Sequence, residues 1–332
     1  SAFMREPLGF KMFEDACQGA YFSSDYTFVQ VYINYDYYGA YVLCEQTQIQ
    51  ENRINIDEKK DEDTKLRTGY LVEIDNYWQN EDYTFIMDYD NVWLTDMYGV
   101  TKQARQAGYS VKYDVMTWDQ LNYISKYIHN VYKIVYQAIY ENRYYKLNGN
   151  NDLVLAQNEF SSAEACVGNV LDLEAAAAMY ISREVAAERD GGIGSFFMYV
   201  DFTADHPRLT FCAPWDYSWA YGTSEGFAME HFWVSAFQPE EFAYAGNRSF
   251  TWFITLYKSS FFKNIVKRQW REMNTRGDQQ GWLDELDRVA TVYADDFAMN
   301  TRRWNSGDQA TASGYIREFV RQRIQWLNSQ WL

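Results

Sequence analysis

The hydrophobic period changes partway along this chain, and that change limits it to a mixed fold of helices and strands. Residues 27–33 alternate as TFVQVYI, and GAYVLC follows at 39–44 after Asn34, Tyr35 and Asp36. A period of two sends successive side chains to opposite faces of a strand. Residues 70–75 (YLVEID) and 84–88 predict further strands, and a short helix over 5–18 precedes them all. From Thr117 the period becomes helical, with Leu121, Ile124, Ile128, Val131 and Val135 at 3-4 spacing. Thr117 with Gln120 three residues later has the form of a capping box. Asp172 predicts the N-cap of LEAAAAMYISREVAAE, a helix expected to run until Gly191 and Gly192 stop it. Strands at 196–201 and 209–213 flank a turn containing Pro207. Apolar spacing then predicts three helices, through 262–270, 286–297 and 316–327. The fold class is therefore α+β.

Composition narrows the partners. The net charge of −16 repels phosphate backbones and anionic lipid, which argues against nucleic acid and against a membrane surface. From Lys258 onward 12 Lys and Arg meet 9 Asp and Glu, a local +3 that leaves −19 on the first 257 residues. An acidic front suits a positively charged protein partner, and equally a well-solvated surface. No 18-residue apolar run predicts a membrane span, and the start at Ser1 without Met reads as a processed or trimmed product. The four cysteines (17, 44, 166 and 212) lack C-x-x-C spacing, so a tetrathiolate zinc site is disfavoured, while a disulfide stays open at this point. Cys44 and Cys212 fall in apolar runs and are expected as buried thiols. His129, His206 and His231 form no ligand motif.

Chemistry concentrates between Glu188 and Gly222. Asp190 stands where a helix gives way to two glycines, and Asp216 follows Pro214 and Trp215 at the end of an apolar strand. The two lie 26 residues apart around a β-hairpin, which can return its ends to one place. Phosphoryl transfer uses such a pair, one Asp on the attacking hydroxyl and the other on the metal that neutralises phosphate charge. A helix C-cap and a turn aspartate would look the same from spacing alone.

Four blocks carry a family resemblance: NYDYYGAYVLCEQTQIQENRINID (34–57), TGYLVEID (68–75), LDLEAAAAMYISREVAAERDGG (171–192) and APWDYSWAYG (213–222). Together and in this order they resemble the CotH spore-coat kinase family. The resemblance implies an atypical protein-kinase-like fold of two lobes, a reduced N-terminal one (1–45) and a helix-rich C-terminal one (46–332) with a central hairpin. It also implies ATP with Mg²⁺ or Mn²⁺ as cofactors, and a Ser/Thr-rich protein as substrate, at a spore coat or other bacterial surface or secreted. Residue by residue, Asp190 matches the catalytic-loop acid and Asp216 the metal-binding acid of the P-W-D block. Glu45 falls at the hinge, where it would contact the nucleotide, and Arg53 fits a structural ion pair. The chain departs from the family at Ser218, where a second acid often stands, and at Glu188, where Asn is common; Glu188 would add either a metal contact or repulsion. The strands carrying a phosphate-binding Lys would precede the 5–18 helix, so a catalytically impaired pseudokinase or protein-binding module remains an alternative. A glycoside-acting protein is a third reading, resting on abundant Trp and Tyr beside paired acids.

Overall fold

The structure, a computed structural model, describes residues 3–222, 228–238, 249–305 and 309–332. Helix α1 (Arg5–Cys17) comes first, followed by the antiparallel pair β1 (Tyr26–Ile33) and β2 (Asp36–Cys44). Next are β3 (Gly69–Ile74), β4 (Thr84–Met87), β5 (Trp93–Thr95), β6 (Thr101–Gln103) and β7 (Ala107–Val111). Helix α2 (Trp118–Tyr136) leads to the small pair β8 (Tyr145–Leu147) and β9 (Leu153–Leu155), then α3 (Ala163–Gly168) and α4 (Leu173–Ala186). The hairpin β10 (Phe196–Asp201) and β11 (Thr210–Phe211) follows. Helices α5 (Thr251–Tyr257), α6 (Ser260–Arg276), α7 (Asp278–Val292), α8 (Ala294–Trp304) and α9 (Gln309–Trp331) close the described chain.

The α+β class holds. The helix after Thr117 starts as the sequence dictates: the Thr117 hydroxyl accepts from the Gln120 N–H while the Gln120 side chain accepts from the Thr117 N–H. Asp172 caps α4 by accepting from the N–H groups of Glu174 and Ala175, both at 3.2 Å. Two helix ends differ from expectation. Helix α4 stops at Ala186, because Ala187 takes the left-handed conformation at φ 49°; Asp190 therefore lies in a loop rather than on a helix end. The single helix expected through 286–297 is two, α7 and α8, parted at Tyr293 (φ −102°, ψ 19°). Strand β11 ends at Phe211, so Asp216 sits five residues beyond it in a turn.

Strands β11, β10, β3, β7 and β4 form one antiparallel sheet in that order. Alternation sorts its faces: Tyr70, Val72, Ile74, Phe196, Met198 and Val200 join the main core. Leu71 and Phe197 point the other way, where Ile54 packs on them with Ile49 and Trp215 alongside. The main core centres on α4, every residue of which is buried except Glu174. Four consecutive alanines (175–178) keep α4 slim, and α1 and α6 pack closely against it. All four cysteines are free thiols; Cys212 is buried as expected, and Cys44 is only partly so. Among the described residues no helix is long and apolar enough to cross a membrane.

Close approach fixes one position in particular. A Cβ added at Gly9 on α1 would fall 2.4 Å from the ring of Tyr217, which is fully buried and bonded through its hydroxyl to Ser182. Gly9→Val forces that ring to move. The variant is expected to lose about 1–3 kcal/mol in urea unfolding, the usual range for overpacking; unchanged stability would mean that α1 does not pack this tightly on Tyr217.

Candidate functional site

The candidate site is assembled around one side chain, Arg183, on the last turn of α4. Its guanidinium is fully buried. Nη1 donates to Glu188 Oε2 at 2.8 Å, and Nη2 donates to the carbonyls of Ser195 and Trp215, both at 3.0 Å. The rings of Phe196, Tyr217 and Phe250 surround it at 5.2–5.8 Å from their centroids. Glu188 in turn accepts from the backbone N–H groups of Asp190 and Gly191. One cation thus ties the loop of Asp190 to the loop of Asp216. Gly191 is required here, since a Cβ would lie 2.6 Å from Phe250 and 2.7 Å from Arg183 Nη1.

Glu188 gives its oxygens to Arg183 and to two backbone N–H groups, and the charge of Asp216 repels it. It is one half of a buried ion pair and the cap of the Asp190 loop. Burial raises its carboxyl above the ordinary value, and Arg183 opposes that rise.

Asp216 adopts φ 55°, a left-handed conformation that short polar side chains tolerate. Its Oδ2 accepts from the Ser195 hydroxyl at 3.1 Å, and Oδ1 from the Ser218 N–H at 3.2 Å. Ser195 therefore serves both halves, its carbonyl on Arg183 and its hydroxyl on Asp216. The N–H of the next residue, Tyr217, donates to Glu6 Oε1 at 2.7 Å, which brings the first turn of α1 against the Asp216 turn. Arg5 adds a second tie, donating to the Ala220 carbonyl. Glu6 Oε2 is buried and has no hydrogen-bond partner. Burial, and then the charge of Asp216, lift the Glu6 carboxyl to about 7.

Beside this turn opens a cavity of about 670 Å³, within the usual size of small-ligand sites. Its floor is the outer sheet face (Leu71, Glu73 and Phe197), one wall is Gln46 to Ile49, and Trp215 forms the edge. Its cations are engaged. Lys112 Nζ meets Glu73 at 2.7 Å with Asp75 and Glu81 nearby, and Lys59 Nζ sits 4.9 Å from the centre of the Tyr113 ring. Glu45 is not among the lining residues. Its carboxylate accepts from the Asp25 N–H at 3.2 Å and pairs with Arg53 Nε at 3.8 Å, just before the wall begins. The sequence candidates thus divide: the loops of Asp190 and Asp216 share a scaffold, whereas Glu45 braces the approach to the cavity.

The residues at Asp216 suit a hard divalent cation. Mg²⁺ is commonly held by one or two carboxylates together with phosphate oxygens and water. Asp216 is fixed by two donors, and the Glu6 oxygen beside it lacks one. Elsewhere, ligand atoms of Asp88, Asp90 and His129 lie within 4.8 Å of one another. There the Lys133 ammonium stands 3.2 Å from Asp90, so the charge is already met.

Sequence reasoning missed Arg183, Ser195 and Glu6. Arg183 carried a signal: a strong cation two residues after an apolar Ala-Met-Tyr-Ile run on a helix that is otherwise core. Glu6 carried none, because an acid in the first turn of a helix is ordinary.

The fold is α+β, with a cavity on the outer face of its sheet that Trp215, next to Asp216, also lines. The CotH kinase protein family matches residues 1–327, nearly the whole chain. The chain belongs to that family. No curated protein matches it.

Glu6 gives the metal-free protein a pH dependence of known sign. Its carboxyl is raised from an ordinary 4.5 to about 7 on folding, so the unfolded chain gives up this proton first as pH rises. The cost to stability is absent below about pH 4.5 and complete above about pH 7. At about 1.4 kcal/mol per unit, the cost approaches about 3 kcal/mol. Denaturation from pH 4.5 to 7.5 should therefore show wild type losing ground to Glu6→Gln. Parallel curves would mean Glu6 is not perturbed.

Proposed function

We propose that this chain is an ATP- and metal-dependent protein kinase acting on Ser or Thr of a protein substrate at a bacterial surface, spore coat or secreted location. The observation that carries the reading is the shared anchoring of the Asp190 and Asp216 loops on Arg183 in a CotH family member. Residues 1–45 would form part of the smaller lobe and residues 46–332 the larger.

In this reading the adenosine lies in the cavity over Phe197, with Gln46 to Ile49 along its edge and Trp215 directing the phosphates toward Asp216. Glu45, coming just before that wall, keeps Gln46 in place and does not touch the base. Asp190 orients the acceptor hydroxyl and takes its proton as the new O–P bond forms. The bond from the γ-phosphorus to its bridging oxygen breaks, and the electron pair leaves with ADP. A divalent cation, when bound, supplies positive charge to the phosphate oxygens. Ser195 and the Ser218 N–H hold the Asp216 carboxylate so that it need not reorganise.

The test is transfer from γ-labelled ATP, in Mg²⁺ or Mn²⁺, to a Ser-rich protein or to the chain itself. Asp190→Ala should lose about 10²–10⁴-fold, the usual worth of positioned proton transfer, and Asp216→Ala should fall to background. Full transfer by Asp216→Ala refutes the assignment. Absence of transfer in wild type favours the binding-module reading.

A further inference from the structure

Glu6 has no role in that account, yet its geometry is unusual. It is the first acid of α1, and one of its oxygens, Oε1, is fixed on the Tyr217 N–H at 2.7 Å. That bond holds the carboxylate against the Asp216 turn. The other oxygen, Oε2, is buried with no donor. A buried carboxylate oxygen without a donor costs about 1–3 kcal/mol or more. Nor do the neighbouring cations supply one. Arg183 gives Nη1 and Nη2 to Glu188 and two carbonyls while its Nε makes no hydrogen bond, to Oε2 or elsewhere, and Arg5 reaches across to the Ala220 carbonyl. Through the N–H of Tyr217, the residue after Asp216, Glu6 is held on the same turn as an acid 210 residues away in the chain.

Resting on the kinase reading above, we propose that Glu6 is the second carboxylate of the divalent-cation site whose first is Asp216, with Oε2 as its ligand atom. Two protein carboxylates, phosphate oxygens and water form an ordinary donor set for Mg²⁺ or Mn²⁺. The cation gives the orphaned oxygen the partner it lacks and cancels the repulsion between the two acids. Because Glu6 rides on α1 and Asp216 on the loop after β11, cation binding also locks α1 onto the nucleotide side of the cleft. The Tyr217 contact by itself is only a turn brace, and an amide in place of the carboxylate preserves it.

The experiment is Mn²⁺ titration of the full chain with saturating ADP, reading free Mn²⁺ by electron paramagnetic resonance. Wild type, Glu6→Gln and Asp216→Asn are compared, with the exposed Asp205→Asn as control. Glu6→Gln should weaken Mn²⁺ about tenfold or more, a loss at least as large as that seen for residues supporting metal ligands. Asp216→Asn should abolish binding, and Asp205→Asn should leave it unchanged. Wild-type affinity in Glu6→Gln, with binding lost in Asp216→Asn, overturns this inference and leaves the kinase reading standing. If wild type binds no Mn²⁺, both fall. Should Glu6→Gln fail to fold, Fe²⁺-directed oxidative cleavage of the wild-type backbone serves instead. Cuts near both residue 6 and residue 216 support the proposal, and cuts near 216 alone overturn it.

Discussion

The site depends on the buried pairing of Arg183 with Glu188. A guanidinium in the core needs its charge matched and most of its donors occupied. Glu188 meets the charge on Nη1, the carbonyls of Ser195 and Trp215 accept from Nη2, three aromatic rings close the box, and Nε is buried without a hydrogen bond. Removing one partner of such a pair typically costs about 3–5 kcal/mol, since the other is left buried and unmatched. Each bond Arg183 makes also sets a loop. Without the pair, the Asp190 loop loses its cap and the Asp216 turn loses its fixed origin.

The same helix distributes other constraints. Ser182, Arg183 and Glu184 are consecutive on α4 and point in three directions about its axis. Ser182 bonds the Gly9 carbonyl on α1 and the Tyr217 hydroxyl. Glu184 accepts from Arg323 on α9 and from the N–H groups of Trp233 and Val234. Burial raises the Glu184 carboxyl, and Arg323 with those two N–H groups opposes the rise. The alanine stretch before these residues lets neighbouring helices approach closely. The polar trio then fixes what those helices carry. Stability and the geometry of the candidate site are therefore functions of one helical turn.

Much of this was legible in sequence, for physical reasons. Periodicity located the long elements, and the caps at Thr117 and Asp172 set helix starts because their side chains bond specific backbone donors. The helix stop was misplaced because nothing in Ala187 announces a left-handed residue, after which the Glu188 N–H closes on the Arg183 carbonyl at 2.9 Å. The break at Tyr293 was invisible because the apolar spacing runs on through it. Asp190 and Asp216 were singled out by spacing and resemblance, and both sit in loops tied to Arg183. Glu6 was not, since its significance lies in a contact with a residue 210 positions away. Glu45 was expected at the hinge against the nucleotide; its carboxylate accepts from the Asp25 N–H and pairs with Arg53.

The central claim is that two loops tied to one guanidinium form a single site for a nucleotide and its metal. A thermal-shift titration with Mg-ATP addresses it most directly, because a ligand that binds only the folded state must raise its apparent stability, by about 2.7 kcal/mol at a hundredfold excess over Kd. The account predicts a saturable rise in the melting temperature of wild type that disappears in Asp216→Ala. No rise at millimolar Mg-ATP, or an equal rise in Asp216→Ala, would contradict it.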